Sequence, residues 1–378
     1  MIDPMEWIST EREKILQTYQ DLHLLAEPSW KEEKTSRYIR EKLSQAGFRV
    51  QTYKEHFGFI AELEGESEEV IALRADMDAL WQEVDGVVKA NHSCGHDAHS
   101  TMVLSAALAL AKTKPPLQHT VRFIFQPAEE KAEGALQMMK EGVMENVKFL
   151  GGIHLRPSFE LSFNSAAPVI LHGSTASLKG IIKGVPAHAA RPEEGKNPLE
   201  ASALLIQAIR QIRLKDDKKY SIKITELHGG EASNLIPENT RFTFDLRAEA
   251  NDTMDRLLEK AQYVIEKTGE LTETEITFTI EENSPAAVQH PEAMDVAKQA
   301  IQSILGDEHI IPICQSPGAE DFHFYTRKNP GIAATMIGLG CDLKPGLHHP
   351  NMAFNKEALI YGTKILTKLL IEADQRQW

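Results

Sequence analysis

Eight residues, His92-Ser93-Cys94-Gly95-His96-Asp97-Ala98-His99, limit what this chain can fold into more than any other stretch. They gather a thiol, three imidazoles and a carboxylate, all groups able to bind a metal. Directly behind them runs Met102 to Leu110, good helix formers that are apolar on nearly every side. A helix without a polar face belongs inside a core. The polar cluster must therefore sit where the chain enters a buried helix, on a rigid support. Thiolate and neutral imidazole suit zinc and its neighbours, which makes Cys94 and His96 the leading ligands. His99 reads as a supporting or merely helical residue.

Bulk properties narrow the setting. At 378 residues the chain is long enough for two domains. Its net charge of -14 repels a phosphate backbone and argues against a nucleic-acid partner. Cys94, Cys314 and Cys341 are too few, and odd in number, for a disulfide framework, as expected in a reducing cytoplasm. Met1-Ile2-Asp3-Pro4-Met5-Glu6 lacks the pattern of a secretory leader, and no run of about 18 apolar residues predicts a membrane span. The expected partner is a small molecule.

Helical periodicity runs from Met5 to Ala46, with Pro28 dividing it into two helices and Gly47 as a C-terminal cap. Strands follow at Phe48 to Tyr53, Phe59 to Leu63 and Val70 to Leu73. The last is apolar without alternation, as in a strand covered on both faces. Asp76 and Asp78 lie just past its end, where open α/β sheets gather their ligands, although a turn would also favour them. Ala79 to Asn91 reads as a loop. Thr120 to Phe125 is another strand, feeding Gln126-Pro127-Ala128-Glu129-Glu130. Pro127 is placed to open a helix with Glu129 and Glu130 in its first turn, where the helix dipole welcomes carboxylates even without chemistry. After a helix over Ala132 to Gly142, a strand from Val147 ends on His154. Strand, polar residues, helix: the repetition predicts a doubly wound α/β domain with its site along one sheet edge.

The idiom changes near Ser174. Strand Ala176 to Lys183, helix Pro198 to Leu214, strands Tyr220 to His228 and Thr240 to Glu249, helix Thr253 to Thr268 and strand Thr274 to Glu281 make a βαββαβ, ferredoxin-like order. Residues 174–284 are expected to be an inserted domain, with 1–173 and 285–378 forming the first. Helices Glu292 to Leu305 and Lys356 to Glu372 and strand Thr335 to Leu339 resume the α/β pattern. Between them lie two polar islands, Gly318-Ala319-Glu320-Asp321-Phe322-His323-Phe324 and Gly346-Leu347-His348-His349-Pro350. There is no Walker motif, GxSxG elbow or helix-opening GxGxxG.

Taken together, these strings resemble a known family. Arg74-Ala75-Asp76-Met77-Asp78-Ala79-Leu80, Cys94-Gly95-His96-Asp97-Ala98-His99, Gln126-Pro127-Ala128-Glu129-Glu130 and Gly152-Ile153-His154 are similar to the two-metal amidohydrolase branch of the aminoacylase and carboxypeptidase-G-like metallopeptidases. That branch includes hippurate hydrolases, indole-acetyl-amino-acid hydrolases and N-acetyl-diaminopimelate deacetylases. Ala187-His188-Ala189-Ala190-Arg191-Pro192, Gly318-Ala319-Glu320-Asp321-Phe322 and Leu347-His348-His349-Pro350 continue the likeness in order, over nearly the whole chain. The resemblance implies a zinc-peptidase-type catalytic domain with an inserted lid or dimerisation domain and two divalent ions. It implies Cys94, His96, Glu130, His154 and His348 as metal ligands and Glu129 as the base. It further implies His188, with Asn234 and Arg247 beside it, as substrate contacts, and a homodimer through the inserted domain. The chain also departs from the pattern. Trp81 follows Leu80 where that family usually has Pro, and the loop to Asn91 is short. Ala319 stands where Ser is commoner. His349 follows His348 where a smaller polar residue is usual, leaving open which of the two binds.

The residue types agree with that chemistry. Two-metal hydrolases hold ions about 3.5–4 Å apart and bring the pKa of a bound water down to about 7. Glu129 would take and return the proton, with Glu130 committed to metal. Asp76 and Asp78 would orient imidazoles or serve as minor ligands. The sequence leaves zinc, manganese and cobalt open, with Cys94 favouring zinc. The expected reaction is cleavage of N-acyl amino acids or related small amides. The alternatives are a dipeptidase or carboxypeptidase, a non-catalytic amide or metal binder, or Cys94 as a nucleophile.

Overall fold

The computed structural model describes residues 2–215 and 218–378. The apolar run at Val70 to Leu73 becomes the middle of a strand, Ser67–Asp76, in a seven-stranded sheet. The order is Arg49–Thr52, Phe59–Leu63, His119–Gln126, Ser67–Asp76, Val147–Pro157, Ala333–Leu343, Ala166–Ala167. The four middle strands pair in parallel, and antiparallel pairings add the short strands at both margins. Ile71 and Leu73 enter one hydrophobic core while Val70 and Ala72 enter another, so the strand is covered on both faces. The sheet is thus doubly wound. The His96–Thr113 helix is buried along nearly its whole length and packs on helices Arg12–Leu24 and Glu357–Asp374.

Contacts divide the chain into two compact units. One runs to Leu171 and includes Val288–Ser316 and Asp321–Trp378. The other is His172–Ala287 with Pro317–Glu320. In the second, strands Tyr220–Gly229, Asn239–Ala248, Ser174–Lys183 and Glu275–Ser284 lie side by side in that order, each antiparallel to the next. Leu178, Leu205, Phe244 and Leu257 fill the core beneath helices Pro198–Ile209 and Asn251–Thr272. This is the ferredoxin-like arrangement.

Several sequence expectations need correction. The N-terminal region holds three helices, Pro4–Thr10, Arg12–Leu24 and Glu33–Gln45, with a first break at Glu11 where no proline stands. Asp3 caps the first of these, its carboxylate accepting the N–H groups of Met5 and Glu6. Ala79 to Asn91 is not a loop. It is a hairpin of Leu80–Val84 and Val87–Asn91 around Asp85-Gly86, both with positive φ. Asp-Gly is a favoured pair for such a tight turn. The Val147–Pro157 strand runs past His154 because Ala333–Leu343 pairs along it. Among the described residues no helix is long and apolar enough to cross a membrane.

Candidate metal centre

The buried wall of the site comes from two places. Cys94 and His96 stand at the start of the His96–Thr113 helix, and His154 lies on the neighbouring strand. Gly95 between the first two has φ of 89°. A side chain there would be strained, and its Cβ would lie 3.1 Å from Leu155. Cys94, His96 and His154 are only 7%, 0% and 5% exposed. One ligand atom from each lies within 4.8 Å of the others.

Hydrogen bonds aim both rings. His96 Nδ1 donates to Asp78 at 3.1 Å, and His154 Nδ1 donates to the Leu155 carbonyl at 2.7 Å. Each ring therefore turns an Nε2 lone pair into the site, and His154 Nε2 is 3.7 Å from the Cys94 sulfur. His99 is different. Its Nδ1 faces Asp76 at 2.8 Å and its Nε2 accepts the Leu155 N–H at 3.0 Å. Both nitrogens are engaged in hydrogen bonds, so His99 braces the wall.

Glu129 and Glu130 do not open an α-helix. They lie in a single 3-10 turn, Glu129–Lys131, flanked by Ala128 and Ala132, each with φ of 52°. The α-helix begins only at Gly134, where a Cβ would collide with the Pro127 carbonyl. Asp78 accepts the backbone N–H groups of Glu129 and Glu130 at 3.2 and 3.1 Å while it holds His96. One carboxylate thus links the helix start to the glutamate turn. Glu129 accepts the Asp321 N–H at 3.3 Å. Glu129 and Glu130 each place a carboxylate oxygen 3.8 Å from His96 Nε2.

His348 completes the rim. Its Nε2 lies 3.4 Å from Glu130, and Cys94, Glu130 and His348 form a second group within 4.8 Å. Cys94 belongs to both groups. The His349 ring instead takes the Asn351 N–H at 3.1 Å, so geometry favours His348 of the two. The hairpin grips this loop: Gln82 donates to the His348 carbonyl at 3.2 Å and Asn91 to that of Pro350 at 3.0 Å.

Within the second unit, His188 is exposed on a short ladder opposite Leu235, and the neighbouring Ala189 N–H donates to the Asn234 carbonyl at 2.9 Å. Arg247 pairs with Asp245 at 3.0 Å and donates to the Pro317 carbonyl at 3.3 Å.

The donor set fits divalent cations. His96 Nε2 and Glu130 Oε1 are buried without a hydrogen-bond partner, an expensive condition unless something positive sits between them. Burial, then the charge of Glu130, pushes the Cys94 thiol up to about 12. A free thiol so held is a poor nucleophile, whereas coordination would strip its proton. Burial, then His99, keeps His154 well below the ordinary imidazole range, so it stays neutral and ready to bind. Burial opposes charge on His96 too, but Asp76, Cys94 and Asp78 outweigh it. Surroundings that raise an imidazole in this way also attract a metal ion.

Sequence reasoning missed the layer beneath. Arg74 is buried and bonds Gln126 at 2.9 Å and Asp321 at 2.6 Å, as well as Asp76. Asp321 also accepts the Ala135 N–H at 2.9 Å. This ion pair ties Asp321 to the ends of the Ser67–Asp76 and His119–Gln126 strands. A charged residue within a strand covered on both faces was the available signal.

A family model described as Peptidase family M20/M25/M40 matches residues 72–372. The chain belongs to that family. It is 28% identical to IAA-amino acid hydrolase ILR1-like 2 of Arabidopsis thaliana over 97% of this chain and 85% of the relative. N-acetylcysteine deacetylase of Bacillus subtilis is 27% identical over 95% of this chain and 96% of its own. Among solved structures, a dinuclear metal-binding peptidase of the M20 family from Bacillus subtilis superposes with a TM-score of 0.83. It is 25% identical and covers 98% of this chain and 99% of that one. This M20 chain is a metal-dependent hydrolase, and its overlapping candidate donor groups suit a pair of ions.

Proposed function

We propose that the protein hydrolyses the amide bond of N-acyl amino acids or related small amides. The observation that carries this reading is a pair of adjacent glutamates in one turn facing the same donors. Glu130 groups with Cys94 and His348 as donors able to hold a cation, while Glu129, which also lies within reach of His96 and Glu130, has one oxygen on the Asp321 N–H, and we assign it the base. Two relatives are named for an IAA-amino acid and for N-acetylcysteine, which supports an acylated amino acid as the substrate class.

Cys94, His96, Glu130, His154 and His348 would hold the ions, with zinc, manganese or cobalt suited to them. When bound, such ions supply Lewis acidity toward the amide carbonyl and lower the pKa of water. Glu129 takes a proton from the attacking water and returns it to the leaving amine nitrogen. Asp78 holds both glutamate amides and His96, so base and ligands keep a fixed relation. Asp76, through His99, steadies the wall beside His154. We assign His188, with Asn234 and Arg247, to contacts with the substrate's polar ends, and the inserted unit to a lid or dimerisation role.

The test is a panel of N-acyl amino acids and dipeptides on metal-loaded protein, with Glu129→Gln beside it. Turnover of N-acyl amino acids that chelator abolishes and Glu129→Gln suppresses is expected. Equal turnover by wild type and Glu129→Gln would remove the base assignment.

A further inference from the structure

Glu32 stands outside every motif discussed so far, yet it is fully buried beside the catalytic turn. Its Oε1 accepts the Ala128 N–H at 2.9 Å and the Trp30 N–H at 3.0 Å. Both donors are residues with a Cβ in the left-handed region, at φ of 52° and 68°. Only glycine enters that region without steric cost. The next two amides along the chain, those of Glu129 and Glu130, go to Asp78. Three successive backbone N–H groups, 128 to 130, are therefore all taken by two buried carboxyl groups. The Trp30 indole N–H donates to Glu133 at 2.9 Å, a second tie between the same two segments. Glu32 Oε2 has no hydrogen-bond partner, so a single acceptor oxygen does the holding.

We propose that Glu32 is a positioning residue for the catalytic turn: its one engaged oxygen keeps Ala128 left-handed and thereby aims Glu129 and Glu130. Glu32 acts through the backbone amides it accepts. Without that acceptor, Ala128 relaxes toward an ordinary conformation and both glutamate side chains swing. Shifts of about 1 Å in a reacting group cost on the order of 100-fold in rate. The proposal rests on the reading of Glu129 as the base.

The experiment compares wild type, Glu32→Gln, Glu32→Ala, Glu32→Met and the double variant Glu32→Ala/Ala128→Gly, all loaded with metal to a content checked by elemental analysis. Steady-state kcat and KM are measured, together with amide hydrogen exchange across residues 127–133. Glu32→Ala should lose roughly 10- to 100-fold in kcat, with KM within about twofold and with faster exchange in the turn. Glu32→Gln keeps an acceptor oxygen and should recover most of the loss. Adding Ala128→Gly should recover part of it, because glycine needs no clamp. Glu32→Met keeps the volume without the acceptor and stands in should the alanine variant not fold. Unchanged exchange in Glu32→Ala and Glu32→Met, or unchanged kcat at equal metal content, would overturn the proposal. So would a Glu32→Gln protein as impaired as Glu32→Met. Glu129→Gln, run alongside, separates the two readings: full turnover there sinks the base assignment, while the exchange data still decide the role of Glu32.

Discussion

Two halves of the metal centre can be compared directly. Cys94, His96 and His154 sit on an inner wall at most 7% exposed, and hydrogen bonds to Asp78 and the Leu155 carbonyl already aim both rings. His348 on the rim has a 55% exposed side chain, stands at φ of 64°, and is held through its backbone by Ser93 and Gln82. The inner ligands are placed by packing, whatever the site contains. The proposed rim ligand, His348, is placed by a loop, and its ring is mostly exposed, with Glu130 3.4 Å from its Nε2. Changes on the wall should therefore disturb fold and binding together, and changes on the rim should disturb binding alone.

The sharpest probe leaves both halves intact. On the proposed roles, Glu129→Gln removes the base and no ligand, so kcat should fall by about 10²–10⁴-fold with metal content and Tm unchanged. A parallel loss of metal would mean that Glu129 belongs to the ligand set. Asp78→Asn comes next. It loosens His96 and both glutamate amides, and partners of this kind are worth about 10–100-fold in affinity or activity. Titration of metal into the stripped variant checks it, and a drop in Tm should accompany the loss. His348→Ala should weaken metal binding, be reversed by excess metal, and leave the Tm of metal-free protein where it was. If metal-free His348→Ala melts as early as metal-free Asp78→Asn, the contrast between wall and rim fails.

The smallest effect concerns pH. Burial, then the charge of Asp78, pushes the Glu32 carboxyl up to about 7 from 4.5. Between those values the folded protein holds a proton that the unfolded chain has released, so stability falls as pH rises. The contribution is fully present below about 4.5 and lost as pH passes about 7. Glu32→Gln cannot ionise, so its Tm relative to wild type should climb between pH 5 and pH 8, by about 2–4 °C for each kcal/mol regained. A constant Tm difference across that range would show that Glu32 is not held protonated.

Donor chemistry was readable in the sequence because it is local. Cys94 and His96 share one short string, and Glu129 and Glu130 another. The strand Ser67–Asp76 was readable from its apolar run. The orientation of the donors was not, because it depends on distant partners. Asp78 is 51 residues from the glutamate amide it holds, and Glu32 is 96 residues from Ala128. Nothing near Glu32 distinguishes it from Glu27 or Glu33 until that partner arrives. The glutamate turn was misread because Pro127 satisfies a helix-start rule that the left-handed Ala128 then breaks. The hairpin was misread although Asp85-Gly86 announced it.

The grip of that hairpin on the rim has a practical side. Leu80 to Asn91 is the obvious segment to exchange when altering which substrates are accepted. Because Gln82 and Asn91 hold the His348 loop, any such graft should also reset ion retention if His348 is a ligand as proposed. A library of grafts should therefore be screened at several metal concentrations, or variants that have merely shed an ion will be discarded as variants that reject the substrate.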